Sequence, residues 1–282
     1  MAPVKVGVLG GGRMGAGIAH AFLLAGCDVA VVERDEKTMD AASHRIRESI
    51  ARSIERGTTG RSADELADAL RVSEDPAAFA GCELVIEAVP EDRAMKAAAL
   101  SRIERAAPNA VIASNTSSIS ITDLAASLRR PDRFLGLHFF NPVPASALVE
   151  IVVGSATGAD GVERARGWVE MIGKTPIVVR DSPGFASSRL GLALALEAIR
   201  MLDAGVASAE DIDRAMELGY RHPMGPLRTT DIVGLDVRLG IAEELYATLG
   251  ENFAPPALLR QLVAEGRLGR KSGEGFYKWE TP

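Results

Sequence analysis

The stretch Lys5-Val-Gly-Val-Leu-Gly-Gly-Gly-Arg-Met-Gly15 decides the fold. Its first five residues alternate, glycines follow, and Ala16 to Ala25 then show helical spacing closed by Gly26. That order reads as strand, glycine turn, helix. Gly10, Gly12 and Gly15 match the GxGxxG spacing, with Arg13 and Met14 between the second and third glycines. The first glycine allows a tight turn, the second lets a pyrophosphate approach the backbone, and the third lets helix and strand pack closely. The helix N-terminus then receives the phosphates. A second strand, Asp28-Val-Ala-Val-Val-Glu33, ends in a carboxylate placed to accept both ribose hydroxyls. A carboxylate there repels a 2′-phosphate, so the reading favours NAD over NADP. Arg34 would serve a 2′-phosphate only if Glu33 turned away.

Outward from this unit the same texture repeats. Glu36 to Arg56 has helical spacing, with Met39, Ile46, Ile50 and Ile54 on one stripe and Arg45, Arg52 and Arg56 on another face. Gly57-Thr-Thr-Gly60 breaks it, and a second helix, Ala63 to Leu70, completes a helical excursion over residues 36–70. Buried strands follow at Cys82 to Val89, Ala110 to Ala113, Phe134 to Phe140, Leu148 to Val153 and Pro176 to Arg180, with helices at Arg93 to Ala106 and Asp160 to Ile172. Such repetition implies a parallel, doubly wound sheet with ligands at the strand C-termini. Glu91, Ser117 and His138 all fall at strand exits.

His138 lies in Gly136-Leu-His-Phe-Phe-Asn-Pro-Val-Pro144, and Glu150 is the single carboxylate of Leu148-Val-Glu-Ile-Val-Val153. Pro142 and Pro144 cannot donate to a ladder, so the strand stops just after His138 and its side chain faces a crevice. Glu150 is expected to be half buried, which is costly unless paired, and a returning strand would bring it beside His138 as the partner of a catalytic base. The same residues also fit a packed histidine and an edge-strand charge.

After Asp181-Ser-Pro-Gly-Phe185 the strands end. Ser188 to Leu202 is apolar almost all round, as expected of a central helix or a subunit interface. Further helices are read at Glu210 to Leu218, Val237 to Leu249 and Pro256 to Ala264, and a glycine-rich aromatic tail runs from Lys271 to Trp279. The fold class is α/β, with an N-terminal Rossmann-type doubly wound sheet over residues 1–184 and a C-terminal all-α domain over 185–282.

Composition narrows the function. A net charge of −6 and a pI near 5.4, with no basic block, argue against nucleic acid or an anionic membrane as partner. Cys27 and Cys82 form no CxxC, which excludes a disulfide framework and a zinc cluster, and no metal site is expected. The first strand begins within five residues of Met1 and no apolar run approaches a membrane span, so a cytoplasmic location is expected.

Taken in order, several runs resemble the short-chain L-3-hydroxyacyl-CoA dehydrogenase family, including bacterial 3-hydroxybutyryl-CoA dehydrogenases. These are Gly-Gly-Gly-Arg-Met-Gly-Ala-Gly-Ile-Ala from Gly10, Ile-Glu-Ala-Val-Pro-Glu from Ile86, Ser-Asn-Thr-Ser-Ser from Ser114 and Gly-Leu-His-Phe-Phe-Asn-Pro-Val-Pro from Gly136. Pro-Met-Gly-Pro from Pro223, Asp-Ile-Val-Gly-Leu-Asp from Asp231 and the tail from Lys271 to Tyr277 extend the resemblance over nearly the whole chain. It implies NAD-dependent oxidation and reduction at C3 of a short-chain acyl-CoA, with His138 as base, Glu150 as its partner and Ser117 at the reacting oxygen. It implies NAD contacts from Glu91, Lys96, Asn141 and Lys271 beside Gly10, Gly12, Gly15 and Glu33, the last standing where the family usually has aspartate. Ser49 and Arg56 fall where the family's helical arm meets coenzyme A. Ser188 stands in place of a family asparagine that helps to hold the substrate. A homodimer through the C-terminal helices is also implied. Two other readings compete: a dehydrogenase of a free hydroxy acid such as gulonate or carnitine, and a non-catalytic NAD-binding protein.

Overall fold

A computed structural model describes residues 4–280 of the chain, which form two compact units, the first ending at Asp181 and the second beginning at Ser182. The strands of the first unit are β1 (Lys5–Leu9), β2 (Asp28–Val32), β3 (Leu70–Ser73), β4 (Leu84–Glu87), β5 (Val111–Ser114), β6 (Phe134–Phe139), β7 (Leu148–Val153) and β8 (Thr175–Arg180). Its helices are α1 (Arg13–Leu24), α2 (Glu36–Glu55), α3 (Ala63–Asp68), α4 (Arg93–Ala106), α5 (Ile121–Ala125) and α6 (Ala159–Met171).

All eight strands join one sheet in the order β3-β2-β1-β4-β5-β6-β7-β8. β1 to β6 run parallel, β7 is antiparallel to β6, and β8 is parallel to β7. The order reverses between β1 and β4, and the crevice beyond the strand ends at such a switch point is where open α/β sheets take ligands. Val6, Val8, Val29, Val31, Leu84, Ile86, Leu135 and Leu137 are buried because helices cover both faces, so most of these strands read as apolar runs, β1 alone having shown alternation.

β3 was not expected. The sequence reading carried a helix to Leu70, but α3 closes at Asp68 and Leu70-Arg-Val-Ser73 pairs with β2 at the sheet edge. Four half-exposed residues carry too little alternation to announce a strand. Cys27 and Cys82 are free and buried, and burial pushes both thiols up to about 11.

The second unit is helical: α7 (Ser187–Asp203), α8 (Ala209–Tyr220), α9 (Pro226–Val233), α10 (Leu235–Leu249) and α11 (Ala257–Ala264). Leu192, Leu196, Ile199, Leu227, Leu235, Leu245 and Leu259 make its core. On α7, Leu192 and Leu196 are buried in this core while Leu190 is 71% exposed. The tail folds onto α8 and α9: the Asp231 carboxylate accepts from the Phe276 and Tyr277 amides and from Trp279 Nε1, while Tyr277 Oη donates to Asp213. Buried carboxylates satisfied in this way hold an aromatic strap that has almost no regular structure of its own.

Candidate active site

The ligand edge of the first unit is assembled from the loops that leave β1, β2, β4, β5 and β6. At the end of β1 the glycine turn takes a shape few other residues permit. Gly10 has φ +95°, and a Cβ on Gly15 would stand 1.7 Å from the Gly10 carbonyl oxygen. Nothing lies within 4 Å of the space a Cβ on Gly12 would fill, so the backbone at the start of α1 is open to a phosphate. Glu33, at the exit of β2, reaches back so that its Oε1 accepts from the Gly11 amide at 2.6 Å. Arg34 faces elsewhere, its Nε donating to Asp35 at 2.9 Å. Gly10, Gly12, Gly15 and Glu33 therefore form a cradle whose shape and charge fit a dinucleotide without a 2′-phosphate. Arg13 is exposed and Met14 half-buried at the first turn of α1.

His138 and Glu150 are directly opposite residues of β6 and β7. The antiparallel register brings Nδ1 of His138 to 2.7 Å from Oε2 of Glu150. Both are buried, Glu150 completely rather than by half, and the Phe140 ring packs against the imidazole at a centroid distance of 4.5 Å. An ionised carboxylate in such a place makes Nδ1 the donor, so proton exchange with a substrate falls to Nε2. Asn141 follows, exposed, just past the strand. Asn115, which sequence reasoning passed over, accepts from the Phe139 amide at 2.9 Å and ties the end of β6 to the loop after β5.

Ser117 sits in that loop, half-buried, and Glu91 holds it: Oε1 of Glu91 accepts from the Ser117 amide at 2.9 Å and from Thr116 Oγ1 at 2.6 Å. Lys96 is placed differently from a surface ligand contact. It is 1% exposed, with its ammonium 2.9 Å from Glu87 and 3.2 Å from Glu91. Burial works against the charge on Glu91, yet Lys96, the Thr116 hydroxyl and the Ser117 amide outweigh it and hold the carboxyl below its usual range.

A cavity of about 490 Å³ opens between α1, α2 and the turn after α6. Its lining includes His20, Ser49, Arg52, Arg56, Thr58 and Lys174. Ser49 and Arg56, both expected from the resemblance of the helical arm, line this one cavity, and Lys174 joins Arg52 and Arg56 as a third cation that sequence reasoning missed. The Lys174 ammonium donates to the carbonyls of Val143 and Ser146, which fastens the loop beyond Asn141. Burial, and then the charge of Arg52, lower the pKa of His20, whose Nε2 lies 2.9 Å from Ser53 Oγ. In the second unit Ser188 lies in the first turn of α7, and Lys271 has its ammonium 2.6 Å from Asp236.

Comparison with known proteins gives a consistent result. The NAD-binding domain of 3-hydroxyacyl-CoA dehydrogenases matches residues 5–182, and the C-terminal domain of the same enzymes matches residues 184–279. A 3-hydroxybutyryl-CoA dehydrogenase of Mycobacterium tuberculosis is 42% identical, covering 98% of each chain. A probable 3-hydroxybutyryl-CoA dehydrogenase of Deinococcus radiodurans is 40% identical over 98% of this chain and 100% of its own. The crystal structure of (S)-3-hydroxybutyryl-CoA dehydrogenase from Ralstonia eutropha superposes with a TM-score of 0.94 at 38% identity, covering 99% of this chain and 100% of that one.

Proposed function

Because the chain belongs to the 3-hydroxyacyl-CoA dehydrogenase family through both of its domains, we propose that its substrates are short-chain, 3-hydroxybutyryl-CoA and acetoacetyl-CoA. NAD, when bound, would supply the acceptor for the hydride that leaves C3. The His138–Glu150 pair carries the reading: it is a buried, oriented base at the ligand edge of a dinucleotide-binding sheet, and a protein that only binds NAD has no use for one. In the oxidising direction Nε2 of His138 takes the hydroxyl proton while Glu150 fixes the ring and stabilises the imidazolium; in the reducing direction the proton is returned. Base catalysis of this kind contributes roughly 10²–10⁴-fold. The Ser117 hydroxyl donates to the developing alkoxide.

Gly10, Gly12, Arg13, Met14, Gly15 and Glu33 seat the cofactor, and Asn141 and Lys271 are proposed as its further contacts. Glu91 and Lys96 are proposed beside them, Lys96 acting from its buried place through Glu91. Ser49, Arg56 and the cations of their cavity take the phosphates of coenzyme A, and Ser188 faces the acyl portion. Four exposed apolar side chains on the second unit, Leu190, Val206, Leu218 and Tyr220, each at least 64% exposed, support a homodimer through its helices. We place the enzyme in the cytoplasm, in keeping with two buried free thiols; among the described residues no helix is long and apolar enough to cross a membrane.

The test is NADH consumption with acetoacetyl-CoA, longer 3-ketoacyl-CoAs and free acetoacetate side by side. Acetoacetyl-CoA is expected to give the highest kcat/KM, with the free acid lower by about a hundredfold or more because it lacks the handle that the arginine-lined cavity binds. Equal efficiency on the free acid would instead favour a dehydrogenase of hydroxy acids.

A further inference from the structure

Glu87 is the last residue of β4 and is fully buried, yet it carries no part of the chemistry described above. Both of its oxygens are engaged. Oε1 accepts from the Val89 amide at 2.7 Å and from Lys96 Nζ at 2.9 Å, and Oε2 accepts from Ser114 Oγ at 2.6 Å. From Glu87 two routes lead to the same place. Ser114 Oγ accepts in turn from the Thr116 amide at 3.3 Å. On the other side, Lys96 Nζ lies 3.2 Å from Oε2 of Glu91, whose Oε1 takes the Thr116 hydroxyl at 2.6 Å. The contacts therefore close into a ring, Glu87–Ser114–Thr116–Glu91–Lys96, that binds the loop after β4 to the loop after β5.

The ring ends on Ser117 with a definite consequence. Oε1 of Glu91 has five donors around it: Thr116 Oγ1 at 2.6 Å, the Ser117 amide at 2.9 Å, the Ser118 amide and hydroxyl at 3.2 Å, and Ser117 Oγ at 3.4 Å. One carboxylate oxygen cannot accept five good hydrogen bonds, and the longest is the weakest. The backbone of the loop is therefore held while the Ser117 hydroxyl is the donor most easily turned to another acceptor. A lone ammonium between two carboxylates also divides its attraction. Neutralising the inner carboxylate draws Lys96 toward Glu91 and disturbs the oxygen that holds the loop.

We propose that Glu87 is a positioning residue for turnover, setting Lys96 and Ser114 so that Glu91 presents Ser117 to the reacting oxygen. This rests on Ser117 serving that oxygen, and the experiment separates the two claims. Glu87→Gln is close to isosteric: its amide oxygen still accepts from Val89 and Lys96, and its NH₂ can donate to Ser114 Oγ, so the charge is the main loss. The variant is measured alone and in a Ser117→Ala background, with kcat, both KM values and thermal stability recorded. Ser114→Ala, which removes both bonds that the Ser114 hydroxyl makes in the ring without changing charge, is run in parallel in case Glu87→Gln does not fold.

Each change is expected to lower kcat at least about fivefold in the wild-type background and less than about twofold once Ser117 is alanine, whatever change in KM for NADH accompanies it through Glu91 and Lys96. Equal losses in both backgrounds would make the ring a merely structural support and overturn the proposal. So would a rise in KM for NADH with unchanged kcat, which would assign the ring to the cofactor. Wild-type kcat in Ser117→Ala by itself would remove Ser117 from the chemistry and the proposal with it.

Discussion

At the scale of single residues the protein places charge where it must be used and neutralises it elsewhere. Glu150 has no solvent exposure, and His138 beside it gives the buried carboxylate a hydrogen-bond partner. Glu33 works in a simpler way. One of its oxygens is bound to the Gly11 amide of the glycine turn and Arg34 is drawn off to Asp35, an arrangement that would set negative charge against a 2′-phosphate. A preference for NADH over NADPH of at least about tenfold in kcat/KM, or about 1.4 kcal/mol, is expected, and Glu33→Ala should narrow it. Initial rates with both cofactors decide this, and a wild type that prefers NADPH would show Arg34 reading the ribose instead. Glu150 was legible because a lone carboxylate among β-formers needs a partner. Glu87 carries the same signal in Leu84-Val-Ile-Glu87 and was passed over, since its partners Lys96 and Ser114 come from a helix and a strand whose convergence no spacing reveals. For the same reason Lys96 could be assigned to a helix but not to the interior.

At the scale of elements, β1 and α1 were legible from glycine spacing alone because each glycine has its own steric reason. β3 was lost among exposed residues, and the apolar run of α7 did not show which of its leucines face the core of their own unit. The arginine face of α2 is the element whose purpose depends most on packing. Only the fold sets Ser49, Arg52 and Arg56 against Thr58 and Lys174 around one cavity. Phosphate recognition by several cations is shared, so removing one should weaken binding without touching the chemistry. Arg56→Ala is expected to raise KM for acetoacetyl-CoA by about three- to tenfold and to leave kcat and KM for NADH within about twofold. Unchanged KM would return that face of α2 to the solvent.

At the scale of the whole molecule, each unit has its own apolar core, and the second also turns large apolar side chains to its surface. Sedimentation velocity should give about twice the 29.8 kDa chain mass, and Leu218→Glu combined with Tyr220→Glu should reduce it to that of one chain. A monomeric wild type would mean that these side chains serve something other than a second copy. The division of labour within the first unit is the central claim: the glycine turn binds, and the paired strands β6 and β7 do the chemistry. His138→Gln separates the two most directly, with turnover of acetoacetyl-CoA and the Kd of NADH measured on the same preparation. Turnover should fall by about two orders of magnitude or more while the Kd stays within about twofold. Near-normal turnover in that variant would contradict His138 as the base.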